Sequence, residues 1–189
     1  MNLHAGIAAG PAVKNYGPVF PLPDSSAHVI VPPVSKKKAG LFPLMFEIVQ
    51  FIATLAAGIW TGAAIYIGFA EHPSAVKTGH IFATEYFRHM SKRTAPFMML
   101  LAALSGLTAG WIWWITGSNA WLIGALLQLS MFPLTGLLIV PTNIKLIRID
   151  PTTEPELAAA LHKNWGRMHW IRTAIGGLSF PLFLWLLLG

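Results

Sequence analysis

The sequence predicts an all-α, polytopic membrane protein: a four-helix antiparallel transmembrane bundle with an extended Pro-rich N-terminal arm and an interfacial amphipathic helix. Three observations predict it. Of 189 residues, 54% are hydrophobic and only 11% are charged, with a mean hydropathy of +0.59. Four apolar stretches each come near the ~20 residues needed to cross hydrocarbon. What remains between them is too short for a second globular domain. The chain therefore divides into an arm over 1–43 and a bundle over 44–189.

The arm holds Pro11, Pro18, Pro21, Pro23, Pro32 and Pro33, which exclude continuous helix and favour extended, polyproline-like backbone. Its apolar side chains, among them Tyr16, Phe20, Leu22, Ile30 and Val31, suit a strap over the bundle rim or over a partner subunit better than a solvated tail; a mobile linker is the alternative. Met1 to Val13 lacks the basic and apolar regions of a secretory signal, so the first span is expected to direct insertion.

The four spans are expected over Leu44–Ala70, Thr94–Thr116, Ala120–Thr142 and Trp170–Leu188. In the first, Glu47, Gln50 and Thr54 form an inward polar stripe suited to interhelical hydrogen bonds, and Glu47 also suits a helix N-terminus. Gly58 and Gly62, Ala64 and Gly68, and Gly106 and Gly110 sit at the spacing that lets membrane helices approach closely. The helix is expected to end at Glu71-His72-Pro73, because proline disfavours helical geometry in the residue before it. Glu71 at such an end opposes the helix dipole, and Arg172 is a candidate partner that would offset this.

Ser74 to Arg93 mixes Phe82, Tyr86, Phe87 and Met90 with His80, Glu85, Arg88 and His89, the pattern of an interfacial helix. His80 and His89 read as solvated there. Gly117-Ser118-Asn119 is so short a connection that the second and third spans must lie antiparallel and adjacent. Trp111, Trp113, Trp114, Trp121 and Trp185 read as interfacial or lipid-facing anchors.

Beyond the third span, Asn143 is placed to cap a helix end or to bond a ligand. Thr153, Pro155 and Glu156 read as a helix start with Thr153 as N-cap. From Leu157 one long helix is expected to run through His169 into the fourth span, setting His162 highest and Arg172 deepest. Along it His162, Trp165, His169 and Arg172 follow at gaps of three, four and three residues, so all four share one face. Polar groups entering lipid are costly, and a functional site is the default reading.

Four spans place both termini on one side of the membrane. The opposite side carries nine Lys and Arg residues against the arm's four, so the positive-inside rule puts that side in the cytoplasm and the termini outside. Lys36, Lys37 and Lys38, just before the first span, argue the other way. The net charge of +6 and pI near 9.9 fit membrane orientation and anionic headgroups rather than nucleic acid. With no cysteine in the chain, disulfides, thiolate catalysis and iron–sulfur clusters are excluded.

His72-Pro73 after the first span, Asn143 after the third, and Trp165, His169, Arg172 and Thr173 opening the fourth resemble the small four-helix membrane proteins grouped with the fungal anthrone oxygenases. The resemblance covers Phe46 to Leu188. It implies an oxygenase acting on a polycyclic phenolic or other hydrophobic substrate, with His72, Asn143, His169 and Arg172 at the active site. The residues themselves leave the chemistry open. Imidazoles with a carboxylate suit copper, iron or zinc, with His72 and His169 as first ligands and Glu71 or Asn143 as the third. Without any metal the same imidazoles serve as general bases, Arg172 stabilises an oxyanion, and Trp165 and Trp170 form an aromatic wall. Two other classes stand beside an enzyme: a non-catalytic accessory subunit of a larger membrane complex or homo-oligomer, strapped to its neighbour by the arm, and a haem-binding anchor with two axial histidines.

Overall fold

A computed structural model describes residues 41–188; the remainder of the arm, with the readings placed on it, lies outside the described residues. Four long, apolar helical rods run over Pro43–Thr78, His80–Thr116, Asn119–Arg148 and Pro155–Leu188, each able to cross a membrane by length and composition. The described residues form helices α1 (Leu41–Tyr66), α2 (His72–Thr78), α3 (His80–Thr116), α4 (Asn119–Leu129), α5 (Met131–Leu134), α6 (Val140–Arg148), α7 (Pro155–Gly177) and α8 (Ser179–Leu188). The first rod packs on the second and fourth, and the third packs on the same two, which gives a four-cornered bundle. The chain is a multi-pass membrane protein.

Several boundaries differ from the sequence expectation. α1 opens at Leu41, inside the segment assigned to the arm. The interfacial helix expected over Ser74–Arg93 is broken at Gly79 (φ +129), its first residues lying in α2, and the rest is continuous with the second span in α3: Ser91 to Thr94 contain no breaker, and Pro96 is accommodated inside the helix. α7 takes Glu154, not Thr153, as N-cap. Thr152 instead donates its N–H and Oγ1 to Asp150 Oδ1 (2.9 and 2.7 Å), bonds that hold the Asp150 carboxyl below the usual carboxylate range. The turn expected at Gly117 is present: at φ +68 it takes the left-handed conformation that closes α3, its N–H bonded to Trp113 O at 2.7 Å.

The helix does not end at His72-Pro73. A π-turn over Ile67–Glu71 carries it onward into α2, with the His72 N–H bonded to Ile67 O, five residues back. In a regular α-helix the proline ring would clash with the carbonyl four residues earlier; the wider turn makes room. The third rod repeats the device. A π-turn over Thr135–Ile139 precedes Val140-Pro141, with the Val140 N–H bonded to Thr135 O. Single π-turns of this kind recur at functional sites, and these two precede His72 and Asn143.

Helix contacts in lipid gain little from water exclusion, so they depend on close van der Waals fit. A Cβ on Gly124 would lie 2.0 Å from Phe183, and one on Gly176 would lie 2.6 Å from Trp60 and 2.8 Å from Met131. Of the expected glycine contacts, Gly58, Gly68 and Gly106 meet Phe180, Trp170 and Leu129, whereas Gly62 has nothing within 4 Å. The inward stripe of the first span is not interhelical: Glu47 is exposed and Thr54 bonds Gln50 O in its own helix. Buried polar links elsewhere join the rods, Ser105 to Ala53 O (2.9 Å) and Gln128 Nε2 to Ser179 Oγ (2.7 Å). Trp121 is no anchor either, for it is buried and stacks on Phe183 at 5.0 Å.

Candidate functional site

The polar face of α7 points into the bundle as its spacing requires. His162, Trp165, His169 and Arg172 are all buried. His162, expected to be the most exposed, is 1% exposed, because α3 covers it and Thr84 Oγ1 lies 3.1 Å from its Nε2. Trp170, five residues beyond Trp165, falls on another side of the helix; it is 43% exposed, packs over Gly68, and takes no part in the expected aromatic wall.

Trp165 is the most constrained of the four. His72 packs on one side of the indole (centroids 4.7 Å apart), His169 stacks on it at 4.9 Å with an interplanar angle of 13°, and Phe87 meets it edge-on at 5.4 Å. Its Nε1–H donates to Asn143 Oδ1 at 2.8 Å. Asn143 therefore neither caps a helix end nor stands free, since α6 continues past it to Arg148. It fixes the plane of the indole.

His169 has both ring nitrogens engaged. Nε2 lies 2.8 Å from Ala64 O, and a carbonyl only accepts, so Nε2 carries the proton. Nδ1 is then the lone-pair atom, accepting from Arg172 Nη2 at 3.2 Å. Arg172 also reaches Thr135 Oγ1 at 3.4 Å and lies 5.7 Å from the Trp60 ring centroid. Its Nε–H is buried with no partner among the described residues. The pairing expected between Arg172 and Glu71 is absent: Glu71 accepts from the Tyr86 hydroxyl, and among the described residues no carboxylate lies within ion-pair distance of Arg172. A charge at that depth ordinarily requires a counter-charge or a ligand.

These groups surround a narrow cavity of about 40 Å³. Trp165, His169, Arg172, Asn143 and Thr135 form its polar wall, and Ile67, Phe87, Met90, Met98 and Ile139 its apolar one, so all four rods contribute. Ser91, whose buried Oγ has no partner, also lines it. His72 does not; it stands behind the indole, with Nε2 buried and unpartnered and its ring 5.6 Å from that of His162. The donors do not fit the metal centre expected of His72, His169 and Glu71. His169 Nε2–H is held by Ala64 O and its Nδ1 faces the Arg172 guanidinium, a cation that opposes a metal ion there; Glu71 turns to Tyr86, and among the described residues no group of three or more His, Cys, Asp or Glu is placed to hold a metal ion.

Ser91, Thr84, Thr135 and Trp60 are the site residues that sequence reading missed. Ser91 and Thr135 line the cavity, while Thr84 meets His162 and Trp60 lies beneath Arg172, and only the fold brings these residues together. A comparison with known families matches residues 84–182 to the model described as anthrone oxygenase. No curated protein and no solved structure matches the chain. The family match takes in Asn143, Trp165, His169 and Arg172 and leaves Glu71 and His72 outside it. Because this match spans more than half of the chain, the chain belongs to the anthrone oxygenase family.

Proposed function

We propose that the cavity is the active site of a metal-independent oxygenase acting on a hydrophobic phenol of the anthrone type. One observation carries the reading: a buried guanidinium that, among the described residues, has no carboxylate beside it and one N–H unpartnered, next to the lone pair of a buried imidazole. That arrangement lacks an anion, and an ionised phenol supplies one. His169 Nδ1, freed from Arg172 as substrate enters, takes a proton from the substrate, while Nε2–H stays on Ala64 O and fixes the ring. Arg172 holds the resulting oxyanion through Nε and Nη2. The electron-rich carbon then reduces dioxygen and bonds to it, giving a peroxide that loses water. Overall a CH₂ group and O₂ become a carbonyl and H₂O, so no outside reductant is needed. Trp165, held by Asn143 and stacked on His169, positions that imidazole at the cavity wall, and His72 packs against the indole.

The accessory-subunit and haem-anchor readings gain no support from a particular contact, whereas convergence of four rods on one polar cavity supports an enzyme. The excess of basic residues on the site's side supports its facing the cytoplasm. The test is oxygen uptake by the purified full chain with a hydroxylated anthrone, followed as quinone absorbance. His169→Ala is expected to lower turnover by ~10²–10⁴-fold, the usual contribution of a positioned base. Absence of uptake by the wild-type chain with any such phenol would overturn the reading.

A further inference from the structure

The cavity is too small for its proposed substrate. About 40 Å³ holds two or three waters, whereas sites for drug-sized ligands occupy ~300–1,000 Å³. Something must move. Beside the cavity lies an open groove of about 500 Å³, lined by Glu71, Tyr86, His89, Met90, Arg93 and Thr94. Met90 and Thr94 line both spaces, so they form the partition between them. Thr94 is branched at Cβ and stiff. Met90 is unbranched, half-buried, and able to swing aside through three rotatable bonds while its sulfur remains in contact with an aromatic guest.

The groove suits the same guest. Ile81, Phe82 and Tyr86 are exposed on this stretch of α3, an apolar surface of the kind that lies in a membrane interface and along which a membrane-dissolved aromatic can approach the groove. The Tyr86 to Glu71 hydrogen bond closes one side of it. On the other, His89 is within 3.2 Å of Glu85, while Arg93 is exposed with no carboxylate within ion-pair distance among the described residues. A cation at the mouth attracts an ionisable hydroxyl. We propose that this groove is the entrance to the cavity, that Met90 is its gate, and that planar phenols enter through it from the bilayer. The route rests on geometry alone; what travels it rests on the functional reading above.

Because the chain has no cysteine, the route is testable apart from activity. A thiol is introduced inside the cavity by Met98→Cys, or from another rod by Thr135→Cys, and its reaction with a small aromatic maleimide is timed in full-length protein in nanodiscs. Adding Met90→Trp is expected to slow labelling at least tenfold and Met90→Ala to speed it severalfold; Leu184→Trp, in a groove on another face, is expected to change nothing. Labelling at both positions that ignores residue 90 overturns the gate. A hydroxyanthraquinone added as competitor is expected to slow labelling, and Arg93→Glu to weaken that protection about tenfold. Gated labelling without protection or turnover would retain the route and remove the phenol reading.

Discussion

Trp165 and Asn143 depend on each other more than any other pair at the site. The indole N–H is the group that Asn143 Oδ1 satisfies at 2.8 Å, and Trp165 is 5% exposed, so loss of Asn143 leaves an N–H that water does not reach. Asn143→Leu is expected to cost ~1–3 kcal/mol, the usual penalty for an orphaned buried group. Trp165→Phe, which keeps the ring but removes the N–H, should make the same Asn143 substitution less costly. A double-mutant cycle by thermal unfolding in detergent checks this; coupling below ~0.5 kcal/mol would mean that the bond contributes little. The sequence showed these residue types at the right helical phase, but not that Asn143 serves the indole rather than a ligand. Nor could it show that His169 spends both nitrogens, since Ala64 O and Arg172 Nη2 belong to a tertiary arrangement.

At the scale of elements, the π-turns set the site. With Pro73→Ala the steric reason for the wide turn over Ile67–Glu71 disappears, and a regular α-helix would rotate His72 by about 100° per residue of register. The variant is expected to melt at or above the wild-type temperature yet lose at least tenfold in turnover; unchanged turnover would show that the position of His72 behind Trp165 is immaterial. Helix contacts should divide just as sharply. Gly176→Ala drives a methyl against Trp60 and Met131 and should destabilise by ~1–3 kcal/mol. Gly62→Ala meets open space and, by helix propensity, should be neutral or stabilising by up to ~1 kcal/mol. Equal melting temperatures for the two would sink the packing account. Sequence spacing picked out Gly62 and passed over Gly176, because spacing marks a helix face without naming its neighbour.

For the whole molecule, the four-cornered packing brings one end of every rod to the same cavity and leaves the short Gly117-Ser118 turn at the far end. If the positive-inside reading is right, a thiol introduced by Asn119→Cys should react with a membrane-impermeant maleimide in intact cells, and one introduced by Ser74→Cys only after lysis. The reverse pattern would invert the protein and place the site outside.

Hydropathy and period alone determined the all-α class, four spans, the antiparallel middle pair and the inward face of α7, because each depends on chain length and residue phase. The family motif was equally legible, as it consists of residue identities. Only the tertiary structure decided that Glu71 bonds Tyr86 and leaves Arg172 without a carboxylate among the described residues, that Trp170 faces outward while Trp165 packs against two imidazoles, and that His162 is covered. It also decided that the helix runs through Pro73. The physical reason is common to all of these: burial, hydrogen-bond partners and the room beside a proline depend on which surface of a neighbouring rod arrives there, and in a bundle packed by van der Waals fit that choice is made by shape across the whole molecule.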